Sequence, residues 1–386
     1  FAAQIGIPIV DASGALNQIA YYDEFVALFA HKTALLHFVG GFLTPLFLVG
    51  FMTRIFGKNK SWSEGFAIWP FALFSALAFT IPYVLINHFV NYELTSMLGA
   101  LTGLIIVIFA ARNKFLTPKE DETWDFLDKK DWEANWTGNI DVKYVEKPGG
   151  MSTLVAWLPY VYVAGLILFT RLIPPVKNFL NSVIITYPKI GGLAENWAIL
   201  YSPGTIFIIV SLLTFFTHGM KADAYKRAWQ QASKVIVSAS VALIFTVPMV
   251  QVFINSDGGA AGLLKMPYAL AEATYQLTGG LWPLFAPIIG GLGAFVAGSN
   301  TVSNMTFSLF QFKTAQLIVE GNPALAPMAL QWPIWVVALQ AIGGAAGNTI
   351  CIHNVVAASA VVGFVGREGD TIRKTFLFFL YYAFIP

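Results

Sequence analysis

The residues of this chain best suited to chemistry are neutral and polar, and they stand inside apolar sequence. Between "LFAPIIGGL" and "MTFSLFQF" runs "GAFVAGSNTVSN", where Ser299, Asn300, Thr301, Ser303 and Asn304 fill five of six positions. Gly298 tolerates backbone conformations that end a helix, and Ser, Thr and Asn are strong N-caps. The pattern predicts one helix ending near Ala297 and another starting after Asn300. The first amides of the new helix, with their partial positive charge, suit an anion. The plainer reading is that small residues let membrane helices pack closely. Lipid cannot satisfy so dense a polar group, which favours the binding reading.

A second cluster, "GGAAGNTICIHNVVAASAVVG", repeats the logic. Gly347 is expected to break a helix, Asn348 and Thr349 to cap the next, and an apolar half-helix to follow. His353 stands four residues after Thr349, which on a continuous helix is the same face. It reads either as a buried, hydrogen-bonded histidine or as a substrate or proton contact. Transporters pair two such discontinuous helices at the bilayer midplane.

The elements that position these clusters follow from composition. Hydrophobic residues are 56% of the 386 and charged residues 11%, against about 25% charge in soluble proteins. The reading is an all-α polytopic membrane protein, spanning in units of roughly 20 apolar residues. Apolar tracts run over 33–53, 66–87, 95–111, 151–173, 204–217, 233–254, 281–298, 302–318, 325–346, 350–365 and 375–386. The 54–62, 112–150 and 218–234 gaps are rich in Lys and Arg. The gaps at 88–94, 174–203 and 255–280 are poor in them, so the rich ones are assigned to the cytoplasm. The hydrophilic stretch 113–150 is read as a solvated cytoplasmic loop, and "PPVKNFLNSVI" as an amphipathic piece at the outer interface. Arg171, ending a span, is expected to snorkel.

Other classes lose ground on the same residues. No basic run has the density that nucleic acid requires. One cysteine, Cys351, allows neither a disulfide framework nor a cysteine zinc site. Metalloprotease, serine-hydrolase, P-loop and dinucleotide signatures are absent. His31 and His37, six apart, point to different faces of one helix. The spacing of His88, His218 and His353 argues for no haem pair. The chain opens at Phe1 and closes in "FLFFLYYAFIP", so both ends read as cut.

"GAFVAGSNTVSN", "GGAAGNTICIHNVVAASAVVG" and "VGREGDTIRKT" together resemble the bacterial lactate permease family, and "FAAQIGIPIVDASG" is similar to that family's mid-chain "GIPI" segment. The resemblance covers essentially the whole chain. It implies an inner-membrane, proton-coupled permease for L-lactate and related 2-hydroxy monocarboxylates. It also implies a secondary-transporter fold of two inverted repeats, each with a re-entrant hairpin and a broken helix. The family's glycine-rich first-half signature, with its acidic residue, is missing here. The chain then holds the second repeat and only the tail of the first, with Gly6, Ile7 and Pro8 at the exit of the first broken helix.

The expectation is one transmembrane transporter domain over 1–386. Ser299, Asn300, Thr301, Ser303 and Asn304 form one wall of a carboxylate site, and Asn348, Thr349 and His353 the other. No cofactor or metal is expected, and the proton is the expected coupling ion. Lactate or a similar monocarboxylate and the lipid bilayer are the partners, and a homo-oligomer is compatible with the sequence. The rivals are a sodium-coupled anion carrier or a channel using the same broken helices, then a membrane enzyme or haem electron carrier.

Overall fold

The computed structural model describes residues 18–119, 124–133, 136, 150–186, 196–256, 261–362, 364 and 366–386. The "GIPI" segment and residues 137–149 of the hydrophilic loop lie outside the described residues. The chain divides into two compact units, Lys143–Val241 and Phe1–Val142 together with Ala242–Pro386. It is mostly helical.

The smaller unit contains α6 (Thr153–Leu172), α7 (Pro174–Ser182), a hairpin of β1 (Ile184–Thr186) and β2 (Asn196–Ala198), α8 (Pro203–Thr217) and the start of α9 (Ala222–Ile254). Ser152 and Ser202 cap α6 and α8, accepting from the Val155 and Gly204 amides. β1 and β2 are antiparallel, with Ile185 opposite Trp197. α7 is short and buries none of its residues, in keeping with an amphipathic surface piece. Arg171 does more than snorkel. Its guanidinium donates to the Tyr201 carbonyl at 2.8 Å and lies 3.5 Å from the centre of the Tyr201 ring.

The larger unit opens with α1 (Gln18–Phe42), α2 (Thr44–Phe56), α3 (Trp62–Phe66), α4 (Trp69–Phe89) and α5 (Thr95–Arg112). Its C-terminal part holds the end of α9, then α10 (Met266–Thr278), α11 (Trp282–Ala297), α12 (Asn300–Glu320), α13 (Gln331–Gly347), α14 (Ile352–Val361) and α15 (Glu368–Phe384). Two of the Lys/Arg-rich gaps meet. Gly57 bridges to Phe126, Lys60 pairs with Glu133, and the Phe56 ring meets the Trp136 ring edge-on. That contact is consistent with both gaps lying on one side of a membrane.

Among the described residues, six helical segments are long and apolar enough to cross a bilayer. They make this a multi-pass membrane protein. Three of them are interrupted: Glu24–Phe56 contains the α1–α2 junction, Met266–Ala297 the α10–α11 junction, and Gln331–Ser359 the α13–α14 junction. The tracts at 325–346 and 350–365, expected as separate, thus belong largely to one broken span. Large apolar side chains such as Phe89, Phe109 and Leu154 are more than two-thirds exposed, as lipid-facing residues are. The interior combines Gly, Ala, Ser, Gln and aliphatic residues with a few rings, among them Phe25, Trp282, Phe310, Phe312 and Phe379. With lipid as apolar as leucine, close packing and internal hydrogen bonds hold such helices together.

α13 is the centre of the larger unit. α11 runs parallel to it at backbone contact: a Cβ on Gly343 would strike the Pro287 carbonyl, and one on Gly347 the Gly291 carbonyl. α12 returns antiparallel to α11, with Trp282 against Gln311 and Gly290 against Ser303. α1 lies along another face of α13, with Phe25 packed against Ile334 and Val337 and Leu36 against Ala338 and Ile342.

Candidate functional site

The α11–α12 turn forms where the sequence predicts it. Gly298 has φ +74° and ends α11, its amide donating to the Ala294 carbonyl at 2.9 Å. In that left-handed region a Cβ costs about 1–2 kcal/mol. Ser299 is extended and caps α12, its Oγ accepting from the Val302 amide at 3.4 Å. Helix geometry leaves the first amides of α12 without a carbonyl partner. Ser299 takes one of them, so the Asn300 and Thr301 amides remain free to meet an acceptor.

The second break falls at Gly347 as expected, but its capping differs from the expectation. α13 ends at Gly347, and Asn348 closes it, its amide reaching the Gly344 and Ala345 carbonyls at 3.3 Å. Thr349 also looks backwards, its Oγ1 donating to the Ala346 carbonyl at 2.7 Å. Neither caps α14. Cys351 occupies the N-cap position and makes no side-chain cap bond. The turn over 348–351 therefore separates Thr349 from His353, and the one-face relation inferred for them fails because no continuous helix joins them. The amides of Ile352, His353 and Asn354 open α14 without a side-chain cap.

The two breaks meet. Asn300 Oδ1 lies so close to Gly344 that no Cβ would fit there. Asn348 follows Gly344 by one turn. At the other side, a Cβ on Gly298 would come 2.6 Å from His353 Nδ1. Asn354 Nδ2 donates to the Asn348 carbonyl at 3.2 Å and steadies the turn. Asn304 Nδ2 donates to Asn300 Oδ1 at 3.2 Å. The other amide oxygens are left over: Asn304 Oδ1 and Asn348 Oδ1 are buried without a hydrogen-bond partner. A buried acceptor without a donor costs about 1–3 kcal/mol, so both oxygens are open to a donor.

Ser303 has another position. It is 1% exposed, donates to the Gly290 carbonyl at 2.8 Å and accepts from Gln340 Nε2 at 3.0 Å. Gln311 Nε2 donates to Gln340 Oε1 at 3.0 Å, and Trp282 Nε1 donates to Gln311 Oε1 at 2.6 Å. A directed chain of buried bonds therefore ties α11, α12 and α13 together beside the turn. Sequence reading did not find Trp282, Gln311, Gln340 or Gly344. Gln311 and Gln340 stand singly in separate apolar helices, and only the fold pairs them.

No fixed cation stands in either polar cluster. Lys313 lies over the Tyr268 ring at 5.0 Å, beside a cavity of about 300 Å³ that Glu272 and Glu320 also line. Lys32, which sequence reading also passed over, is 7% exposed, with its Nζ 4.2 Å from the centre of the Trp335 ring. His31 and His37 do diverge: His31 faces His88, with ring centres 4.7 Å apart, and His37 meets Tyr382.

A family model described as L-lactate permease matches residues 1–386. A putative L-lactate permease of Haemophilus influenzae is 27% identical over 99% of this chain and 68% of its own length. The L-lactate permease of Bacillus subtilis is 27% identical over 96% of this chain and 65% of its own. The glycolate permease GlcA of Escherichia coli K12 is 24% identical over 86% of this chain and 59% of its own. The chain thus spans about two-thirds or less of these curated relatives. No solved structure matches it. By the match along its whole length, the chain belongs to the L-lactate permease family.

Proposed function

We propose that this chain carries a small 2-hydroxy monocarboxylate, L-lactate foremost, across the bacterial inner membrane together with a proton. The observation that carries the reading is the meeting of two helix breaks at Asn300, Gly344 and Asn348, with two asparagine oxygens left unpartnered. Family membership supports lactate. The naming of one relative for glycolate supports the wider class of 2-hydroxy acids.

The chemistry divides between donors and acceptors. The substrate carboxylate needs donors, and the free first amides of α12 and α14 are donors with partial positive charge. The 2-hydroxyl needs an acceptor, and Asn304 Oδ1 and Asn348 Oδ1 are acceptors. A site that hydrogen-bonds a hydroxyl rejects analogues that lack it. Ser299 and Ser303 hold the turn, Thr301 and Thr349 border the site, and His353 packs on the turn from α14. Fixed dipoles in place of a permanent cation let the anion leave again, and a co-transported proton removes the remaining charge.

On this reading the α11–α12 hairpin enters and returns from one side, with its turn at membrane depth. Non-helical backbone survives at that depth only against protein or a wet cavity, and here it lies against α13 and α14. The purified protein in proteoliposomes should exchange labelled L-lactate without a gradient and accumulate it when the outside is acidified. Collapse of accumulation by a proton ionophore, with sodium replaced, supports proton symport. Accumulation that requires sodium would instead favour a sodium-coupled carrier.

A further inference from the structure

The His37–Tyr382 pair has no place in the substrate site, yet it joins α1 to α15 side chain to side chain. His37 Nδ1 and the Tyr382 hydroxyl are 2.7 Å apart, although 345 residues separate them in sequence. The Tyr83 ring of α4 stands edge-on to His37, with centres 6.1 Å apart. Next along α15, the Tyr381 hydroxyl donates to the Gly40 carbonyl at 2.6 Å, and the Thr44 hydroxyl donates to the same carbonyl at 2.9 Å. These bonds gather at the end of α1, where Glu24–Phe56 is interrupted.

The location links this pair to the second break. α1 runs parallel to α13, and each is followed by a break and a shorter helix. Tyr382 packs on the cluster of Leu36, Ala338 and Ile342, and also on that of Ala346, Ile350, Phe379 and Ala383. Ala346 and Ile350 flank Asn348 in sequence. A change at His37–Tyr382 therefore bears directly on the segment that ends α13.

We propose that His37, through its bond to Tyr382, is the proton-coupling residue of the carrier. This rests on the symport reading above. Ionisable side chains within membrane segments are costly and mark proton relays by default. A neutral imidazole can either accept from the Tyr382 hydroxyl or donate to it. The imidazolium can only donate, so uptake of one proton fixes the bond's direction and turns the Tyr382 hydroxyl proton elsewhere. The proton comes from water on the acidic side and returns to water on the other side, so the step balances without any further reactant. The groups shown around His37 are uncharged: α4 presents Tyr83 and α15 presents Tyr382 with Tyr381 beside it, and Trp335, Ala338, Leu339 and Ile342 of α13 pack in one cluster with Leu36 and Tyr382. On α1 itself, Lys32 is turned to Trp335 and His31 to His88.

The test compares two activities of the full protein in proteoliposomes, wild type against His37→Gln and Tyr382→Phe. His37→Gln should keep lactate exchange and its pH dependence should flatten, while lactate no longer rises above its equilibrium level in a proton gradient. Tyr382→Phe should still accumulate lactate but with a shifted pH profile. Accumulation by His37→Gln at the wild-type level overturns the proposal. So does joint loss of exchange and accumulation in His37→Gln with Tyr382→Phe unchanged, since that marks packing alone. Failure of the wild type to exchange lactate at all would count against the transport reading itself, and the wild-type control shows it separately.

Discussion

Asn300 of α12 and Gly344 of α13 are in contact so close that the glycine hydrogen is all that fits between them. The start of one half-helix is thereby held against the last turn before the next break. Gly344→Ala should push Asn300 away and reduce lactate uptake strongly while the protein still inserts. Gly165→Ala is the control, because nothing lies within 4 Å of the Cβ it adds. Uptake by the two variants, normalised to membrane protein, checks this, and equal activity would contradict it.

The two asparagines make a sharper pair. Asn300→Ala and Asn348→Ala should each lower uptake by roughly ten-fold or more, since one good polar contact is worth about 1.5–3 kcal/mol when the partner is charged. Gel-filtration profiles should stay those of the wild type. Asn348→Ala should also narrow the preference for lactate over propionate, because it removes an acceptor for the hydroxyl. Competition assays with the two acids measure that ratio.

The buried amide chain predicts a loss of stability. Gln340→Leu removes one acceptor from Gln311 Nε2, which keeps its 3.4 Å bond to the Ala286 carbonyl, and the donor to Ser303 Oγ, which keeps its bond to the Gly290 carbonyl. Each lost hydrogen bond is worth about 0.5–1.5 kcal/mol, and membrane values average about 0.6 kcal/mol. The detergent-solubilised variant should melt several degrees below the wild type. Gln311→Leu combined with Gln340→Leu should cost less than the two single changes summed, since they break one shared bond.

At the turn, Gly298→Ala meets both the left-handed backbone and the His353 ring 2.6 Å away. Adding His353→Ala should restore part of the lost uptake by making room. The backbone cost of about 1–2 kcal/mol should remain. No restoration would mean that His353 does not press on the turn.

The sequence carried much of this, and its gaps have physical causes. The break at Gly298 and Ser299 was legible because glycine and an N-cap residue act locally. The end of α13 at Gly347 was legible for the same reason. The start of α14 was misread because Asn348 and Thr349 can bond forwards as caps or backwards to the preceding turn, and here both bond backwards. His353 was attached to the wrong neighbour for that reason. The bonds Gln311–Gln340 and His37–Tyr382 left no trace in spacing, since they join helices whose order in space periodicity does not encode.

The central claim is that a carboxylate binds where the two breaks meet, and thiol labelling addresses it most directly. Thr301→Cys places a thiol in the first turn of α12, with the native Cys351 buried. Thr301 is exposed, so the test reads protection by substrate. L-lactate should slow the reaction with a membrane-impermeant maleimide, at concentrations that half-saturate uptake, while propionate protects less. A labelling rate unchanged by lactate would contradict the placement of the site.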